Sequence, residues 1–185
     1  MVMISLLRGV NMGPHHRIRM EALREVYGSL GFAGARTLLA SGNVLFHVGA
    51  REKARAGARI KDAIDAAFGF RVAVMLRTAA EMRAVVAASP FAARPGIDPA
   101  KLAVTFLAAA PDPAARARLA AIAGVPEEVH AGERELYVYY PNGFSQAQLA
   151  DKMLRQALGG MVTTSRNWNT VEKLVALAAE MEAEG

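Results

Sequence analysis

The sequence predicts an α+β protein made from two copies of one strand-helix-strand-strand-helix-strand unit, closed by a C-terminal helix. Three observations carry this prediction. Apolar runs with strand and helix periodicity follow that order over residues 3–77 and again over residues 102–164. A glycine-bearing tight turn falls between the second and third strands of each copy, Ser41-Gly42-Asn43 in the first and Gly132-Glu133-Arg134 in the second. A segment with three prolines and a glycine, from Ser89-Pro90-Phe91 to Asp98-Pro99, separates the two.

In the first copy, Met3–Leu7 reads as a buried strand. The next helix places Leu23, Val26, Tyr27 and Leu30 at i, i+3, i+4 and i+7, with Arg19, Glu21, Arg24 and Glu25 on the opposite side, and Gly31 as its C-terminal cap. Residues 35–40 and 44–48 are short strands joined by the Ser41-Gly42-Asn43 turn, where Gly and Asn tolerate positive φ. A basic-faced helix over 51–68 spaces Ile60, Ile64 and Phe68 four apart and stops at Gly69. Residues 71–76 are the fourth strand. Thr78 and Glu81 then form a capping box for a helix that buries Met82, Val85 and Val86.

In the second copy, Leu102–Leu107 is the first strand, and Asp112 followed by Pro113 starts a helix that Gly124 and Pro126 end. Residues 129–131 and 136–140 form the hairpin. Ser145 and Gln148 are expected to cap a helix carrying Leu149, Met153, Leu154 and Leu158, which Gly159-Gly160 terminate. Met161–Thr164 is the last strand. Asn169 and Glu172 then cap a final helix with Val171, Leu174, Val175 and Ala178 facing inward.

This element order is that of a ferredoxin-like unit, a split βαβ motif. Right-handed crossovers give each copy a four-stranded antiparallel sheet with two helices on one face. The expected organisation is a first unit over 1–77, a linking helix and Pro-rich connector over 78–101, and a second unit with the final helix over 102–185. The alternative is one continuous mixed sheet with helices on both faces.

Composition narrows the function classes. With 185 residues and 53% hydrophobic content, the chain can bury a core. It has no cysteine, which removes disulfides, thiolate metal sites and cysteine nucleophiles and fits a reducing compartment. Arg8 interrupts the first apolar run and no basic region precedes it, so a signal peptide is not expected. No run approaches the ~20 residues of a membrane helix. A cytoplasmic location is the expectation. The net charge of +5 is uneven: residues 1–77 hold 12 Lys/Arg against 5 Asp/Glu. A basic first half favours anionic ligands or nucleic acid.

Two polar loops are the leading candidates for a binding site. If the strand order is right, Arg8-Gly9-Val10-Asn11-Met12-Gly13 and Ser41-Gly42-Asn43 lie on the same edge of the first unit. Glycines at 9, 13 and 42 let the backbone approach a ligand, and Arg8 offers a planar donor fork to phosphate or carboxylate. His15, His16 and Arg17 extend the positive character. Asn11, Ser41 and Asn43 are the other expected contacts. The glycine spacing is neither a dinucleotide fingerprint nor a phosphate-binding loop. A third segment, Ser165-Arg166-Asn167-Trp168-Asn169, reads as a polar stretch before the last helix. Arg166, Asn167 and Asn169 suit helix capping or anion binding, and Trp168 suits packing of that helix.

Other chemistries have little support. His15, His16, His47 and His130 lack metal-ligand spacing, so neither metal nor cofactor is assigned. No nucleophile elbow occurs and Ser41 reads as a turn residue, so no enzymatic activity is assigned. Asp62 and Asp65 read as surface ion-pair partners. For RNA, the third strand Asn43–Val48 lacks the basic-aromatic signature, while Tyr137 and Tyr139 share a face in the acidic second half.

Several segments together resemble one family. Leu6-Leu7-Arg8-Gly9-Val10-Asn11-Met12-Gly13, Met20-Glu21-Ala22-Leu23-Arg24, Leu30-Gly31-Phe32, Ser41-Gly42-Asn43-Val44-Leu45-Phe46 and Thr163–Val171 are similar, in order, to the bacterial family called domain of unknown function 1697. Pro14 and His15 stand where that family's pattern has a further glycine and a basic residue, which weakens any ligand role of that second glycine. The resemblance implies a ferredoxin-related α+β fold and no particular activity. The leading functional expectation is therefore a small anionic ligand bound at the loops of the first unit. An RNA-binding module and a protein-interaction or dimerisation scaffold are the alternatives.

Overall fold

The computed structural model describes residues 1–184. The fold is α+β, with two four-stranded antiparallel sheets. The single continuous mixed sheet is therefore excluded. Contacts divide the chain into two compact units, one formed by Met1–Met82 with the chain from Leu174 onward, the other by Arg83–Lys173.

The first sheet consists of β1 (Val2–Leu7), β2 (Arg36–Leu38), β3 (Asn43–His47) and β4 (Val74–Thr78), in the order β2-β3-β1-β4. Helices α1 (Met20–Ser29) and α2 (Lys53–Phe68) supply Leu23, Val26, Tyr27, Ala56, Ile60 and Ile64 to a core with Met3, Leu7, Val44 and Phe46. These strand residues share one face by register and alternation, so both helices cover that face. Tyr27, Phe32 and Phe46 cluster there, with Tyr27 and Phe46 ring centroids 5.2 Å apart in an edge arrangement. The Tyr27 hydroxyl hydrogen-bonds Ser5 Oγ at 2.5 Å, and burial pushes its pKa well above the ordinary tyrosine value. α3 (Ala79–Ala87) follows β4 with no intervening residue.

The second sheet repeats the arrangement: β5 (Leu102–Leu107), β6 (Glu128–Ala131), β7 (Glu135–Tyr139) and β8 (Thr163–Asn167), ordered β6-β7-β5-β8. α4 (Pro113–Ala120) and α5 (Gln148–Ala157) supply Leu119, Leu154 and Ala157 to a core with Ala103, Leu107, Leu136 and Val138. Helix α6 (Trp168–Ala183) follows β8 directly, as α3 follows β4. The repeat thus has seven elements rather than six.

Repetition extends to side chains. Ile4 pairs with Arg77 and Val104 with Arg166, so the two arginines hold the same register position. Both are buried, and each donates from its guanidinium to the carbonyl of the residue before it, Leu76 at 2.9 Å and Ser165 at 2.8 Å.

Several local expectations are corrected. The fourth strand of the first unit lies at Val74–Thr78, not 71–76, and that of the second at Thr163–Asn167, not 161–164. Each strand runs on into a polar tail, Arg77-Thr78 and Ser165-Arg166-Asn167, that lacks the apolar alternation by which a strand is recognised. Ser145 and Gln148 form no capping box: Phe144–Gln146 is a 3-10 turn, and Ala147 precedes α5 without a side-chain cap. Asn167, rather than Asn169, caps α6, accepting the Asn169 backbone N–H at 2.9 Å.

Candidate functional site

The two N-terminal loops meet. The Leu7 N–H donates to Gly42 O at 2.9 Å, and Asn11 Nδ2 donates to Ala40 O at 2.7 Å. Gly42, buried at φ 74°, makes the approach possible, since a Cβ there would stand 2.8 Å from Leu7 Cβ. Arg8 N–H donates to Ala73 O at 3.0 Å, anchoring the start of the loop beside β4.

Asn11 closes the loop. At φ 58° it lies in the left-handed region that asparagine tolerates. Its Nδ2 also donates to Ile18 O at 3.0 Å, its Oδ1 accepts from Ile18 N at 2.8 Å, and its own N–H donates to His16 O at 3.1 Å. The His16 ring stacks on Phe70 with centroids 4.5 Å apart. The segment is a pinned loop, not a loose one.

Consequently the expected polar contacts divide. Asn11 is engaged internally. Asn43 is fully buried and donates to Leu38 O and to Ser41 Oγ, both at 2.9 Å, so these two residues hold the turn. Gly9 and Gly13 have positive φ with open space around them. Arg8 is exposed, and its side chain has no ion pair or hydrogen bond among the described residues. Arg17, Arg19 and His15 are exposed in the same loop and equally unengaged. Elsewhere in this unit Arg59 pairs with Glu52, Arg71 with Asp65 and Arg36 with Glu184, whereas Arg51, Lys53, Arg55 and Lys61 on or beside α2 are exposed and without a side-chain partner among the described residues. The loop thus presents a set of donor forks to solvent around a fixed backbone, and Met12 stands 80% exposed among them.

The third candidate segment belongs to the other unit, and it is not a loop. Ser165, Arg166 and Asn167 are residues of β8, and Trp168 and Asn169 open α6. Arg166 donates to Thr164 Oγ1 at 2.8 Å, and burial pushes its pKa down to about 10. Asn167 Nδ2 donates to Ala100 O at 2.9 Å. Asn169 is exposed and Trp168 is buried.

The strand residues offer no open stacking platform. All six residues of β1 and of β5 are buried. Tyr137 is buried and donates its hydroxyl to Val85 O at 2.7 Å. Among the described residues, no three His, Asp or Glu side chains gather where they would hold a metal ion. No described helix is long and apolar enough to cross a membrane.

A family model described as "Protein of unknown function (DUF1697)" matches residues 1–137. The chain belongs to the DUF1697 family. The match includes both N-terminal loops and stops before Arg166. No curated protein matches the sequence. Among solved structures, the chain is similar to the conserved bacterial protein SP0830 from Streptococcus pneumoniae, with a TM-score of 0.75 over 96% of this chain and 98% of that one, at 17% identity. At that identity the likeness is one of fold, so for this DUF1697 chain it bears on architecture and not on activity.

Sequence reasoning overlooked Arg19, which it placed on a helix face, and the buried Arg77. The repeated register position of Arg77 and Arg166 was the signal for the latter. It needed the correct strand ends to be visible.

Proposed function

We propose that this protein is a binding module whose first unit holds an anionic ligand, such as a phosphate- or carboxylate-bearing small molecule, at the Arg8–Arg19 loop. The supporting observation is the set of exposed, unengaged basic side chains on a loop that Asn11 locks. Arginine forks suit bidentate anion contacts, and a preformed loop loses little entropy on binding. Arg8 is the central contact, with Arg17, Arg19 and His15 around it. Asn11, Asn43, Ser41 and Gly42 hold the framework. On this reading the two units are tandem ferredoxin-like copies, a duplication supported by their common strand order and matched arginines.

The test is calorimetric titration with pyrophosphate and citrate. Arg8→Ala should weaken binding roughly tenfold, the loss of one charge-assisted contact, and leave the melting temperature unchanged, because Arg8 supports nothing in the fold. Unchanged affinity, or unfolding of the variant, would refute the assignment.

A second reading, contact with a nucleic-acid backbone, is favoured by one observation: the cations stand on an exposed loop. Binding of short RNA that collapses between low and moderate salt would support it. Phosphate contacts alone carry no sequence preference.

A further inference from the structure

The Pro-rich segment between the two sheets carries a buried aromatic residue. Phe91 is 2% exposed, and its ring meets His130 edge-on at 5.2 Å and Tyr139 at 5.9 Å. Beside it opens a pocket of about 240 Å³ within the second unit. Val86, Ile97 and Leu102 give it apolar walls, and Phe91 and Trp168 give it aromatic ones. Leu102 and Trp168 lie together because Ala103 pairs with Asn167, the residue before Trp168.

Two groups at this pocket lack a protein partner. Every buried side-chain nitrogen or oxygen among the described residues is hydrogen-bonded, yet the Trp168 indole makes no hydrogen bond. Its Nε1–H therefore keeps some accessible surface, although the residue is only 5% exposed, and Trp168 is one of the residues that line this pocket. A buried tryptophan N–H usually finds a hydrogen-bond partner. Glu172 stands one helical turn on, at i+4, on the rim; its carboxylate is exposed and unpaired. The other charged lining residue, Arg94, is already engaged: both its terminal nitrogens bond Glu128, one at 2.8 Å, and its guanidinium lies 5.8 Å from the Phe91 ring centre. The free charge at the pocket is negative.

We infer that this pocket binds a small organic cation, with its apolar body between Phe91 and Trp168, its ammonium group at Glu172, and an acceptor atom, where present, on the Trp168 indole N–H. Aromatic faces and a carboxylate together are the recognition chemistry of substituted ammonium groups. The pocket is of a size for a small molecule, such as a single ring with a short amine arm. This site is independent of the basic loop and differs from it in charge preference.

Trp168 is the only tryptophan, so its emission reports on the pocket directly. The full-length chain would be titrated with benzyltrimethylammonium chloride, with benzyl alcohol and phenylacetate as neutral and anionic counterparts. A saturable change in Trp168 emission with the cation, at a Kd roughly fivefold or more below that of either counterpart, supports the site. Glu172→Gln should abolish that preference, and Glu172→Lys should shift it toward phenylacetate; both variants should melt as the parent does, since Glu172 is exposed and unpaired. Absence of a saturable change, tighter binding of phenylacetate to the parent, or an unaltered preference in Glu172→Gln would each overturn the inference. Arg8→Ala should leave this titration unchanged, which separates it from the fate of the basic loop.

Discussion

At the level of single residues, Asn11 carries more of the loop's geometry than any charged neighbour. One side chain satisfies both the N–H and the C=O of Ile18 and reaches Ala40 across the edge of the sheet. Asn11→Ala would strand these groups and remove the tolerance of a positive φ. We expect a loss of about 1–3 kcal/mol in denaturant-induced unfolding, together with weaker anion binding even though Asn11 touches no ligand. Asn11→Asp is informative beside it: one acceptor atom survives, but both donated bonds are lost. The sequence made Asn11 and Asn43 conspicuous as polar residues of glycine-bearing turns, and in the structure both side chains bond groups of their own turns. Polar residues in glycine-rich turns look the same from sequence whether they face a ligand or satisfy their own backbone, because both uses select short amide side chains.

At the scale of elements, helix starts separate what local pattern reveals from what it conceals. Thr78 and Glu81 make the reciprocal box read from the sequence: Glu81 Oε2 accepts from Thr78 N at 2.7 Å, and Thr78 Oγ1 accepts from Glu81 N at 3.1 Å. Asp112 accepts from Ala115 N at 2.6 Å, with Pro113 next to it. Ser145 and Gln148 have the same spacing but lie across a 3-10 turn, where the box does not close. Glu81→Ala should therefore cost about 1 kcal/mol, a drop of ~2–4 °C in melting temperature for a chain of this size. Ser145→Ala should stay within about 0.5 kcal/mol of the parent. Element order and type were legible because buried faces impose periodicity. Strand ends were not, because Arg77, Thr78 and Ser165–Asn167 are polar residues held in strands by pairing to β1 and β5, a long-range interaction that no local window contains.

For the molecule as a whole, buried tyrosines set a limit at high pH. Burial raises the pKa of Tyr27, Tyr137 and Tyr140 above the ordinary value of about 10. In the unfolded chain these groups release protons first, so above about pH 10 the native state binds more protons and stability falls as pH rises. Arg166, with its pKa lowered to about 10, runs the other way over the same range, since its buried charge is relieved. Three groups against one give a net fall. Melting temperatures across alkaline pH should decline while these three of the chain's four tyrosines stay un-ionised until unfolding; ionisation of more than one tyrosine before the melt, read from tyrosinate absorbance, would contradict the burial argument. The absence of cysteine means that reducing agents should not alter this profile.

The direct passages from β4 into α3 and from β8 into α6 have one more consequence. A loop between two elements adds two soft torsions for each residue it contains. These joints contain none, so each helix inherits its heading from the last peptide of its strand. Inserting a single residue at either joint would turn the helix by about 100° about its own axis and present a different side of it to its surroundings. Whatever α6 carries in its first turns, including the indole and the carboxylate four residues apart, is therefore aimed by a strand rather than by a hinge.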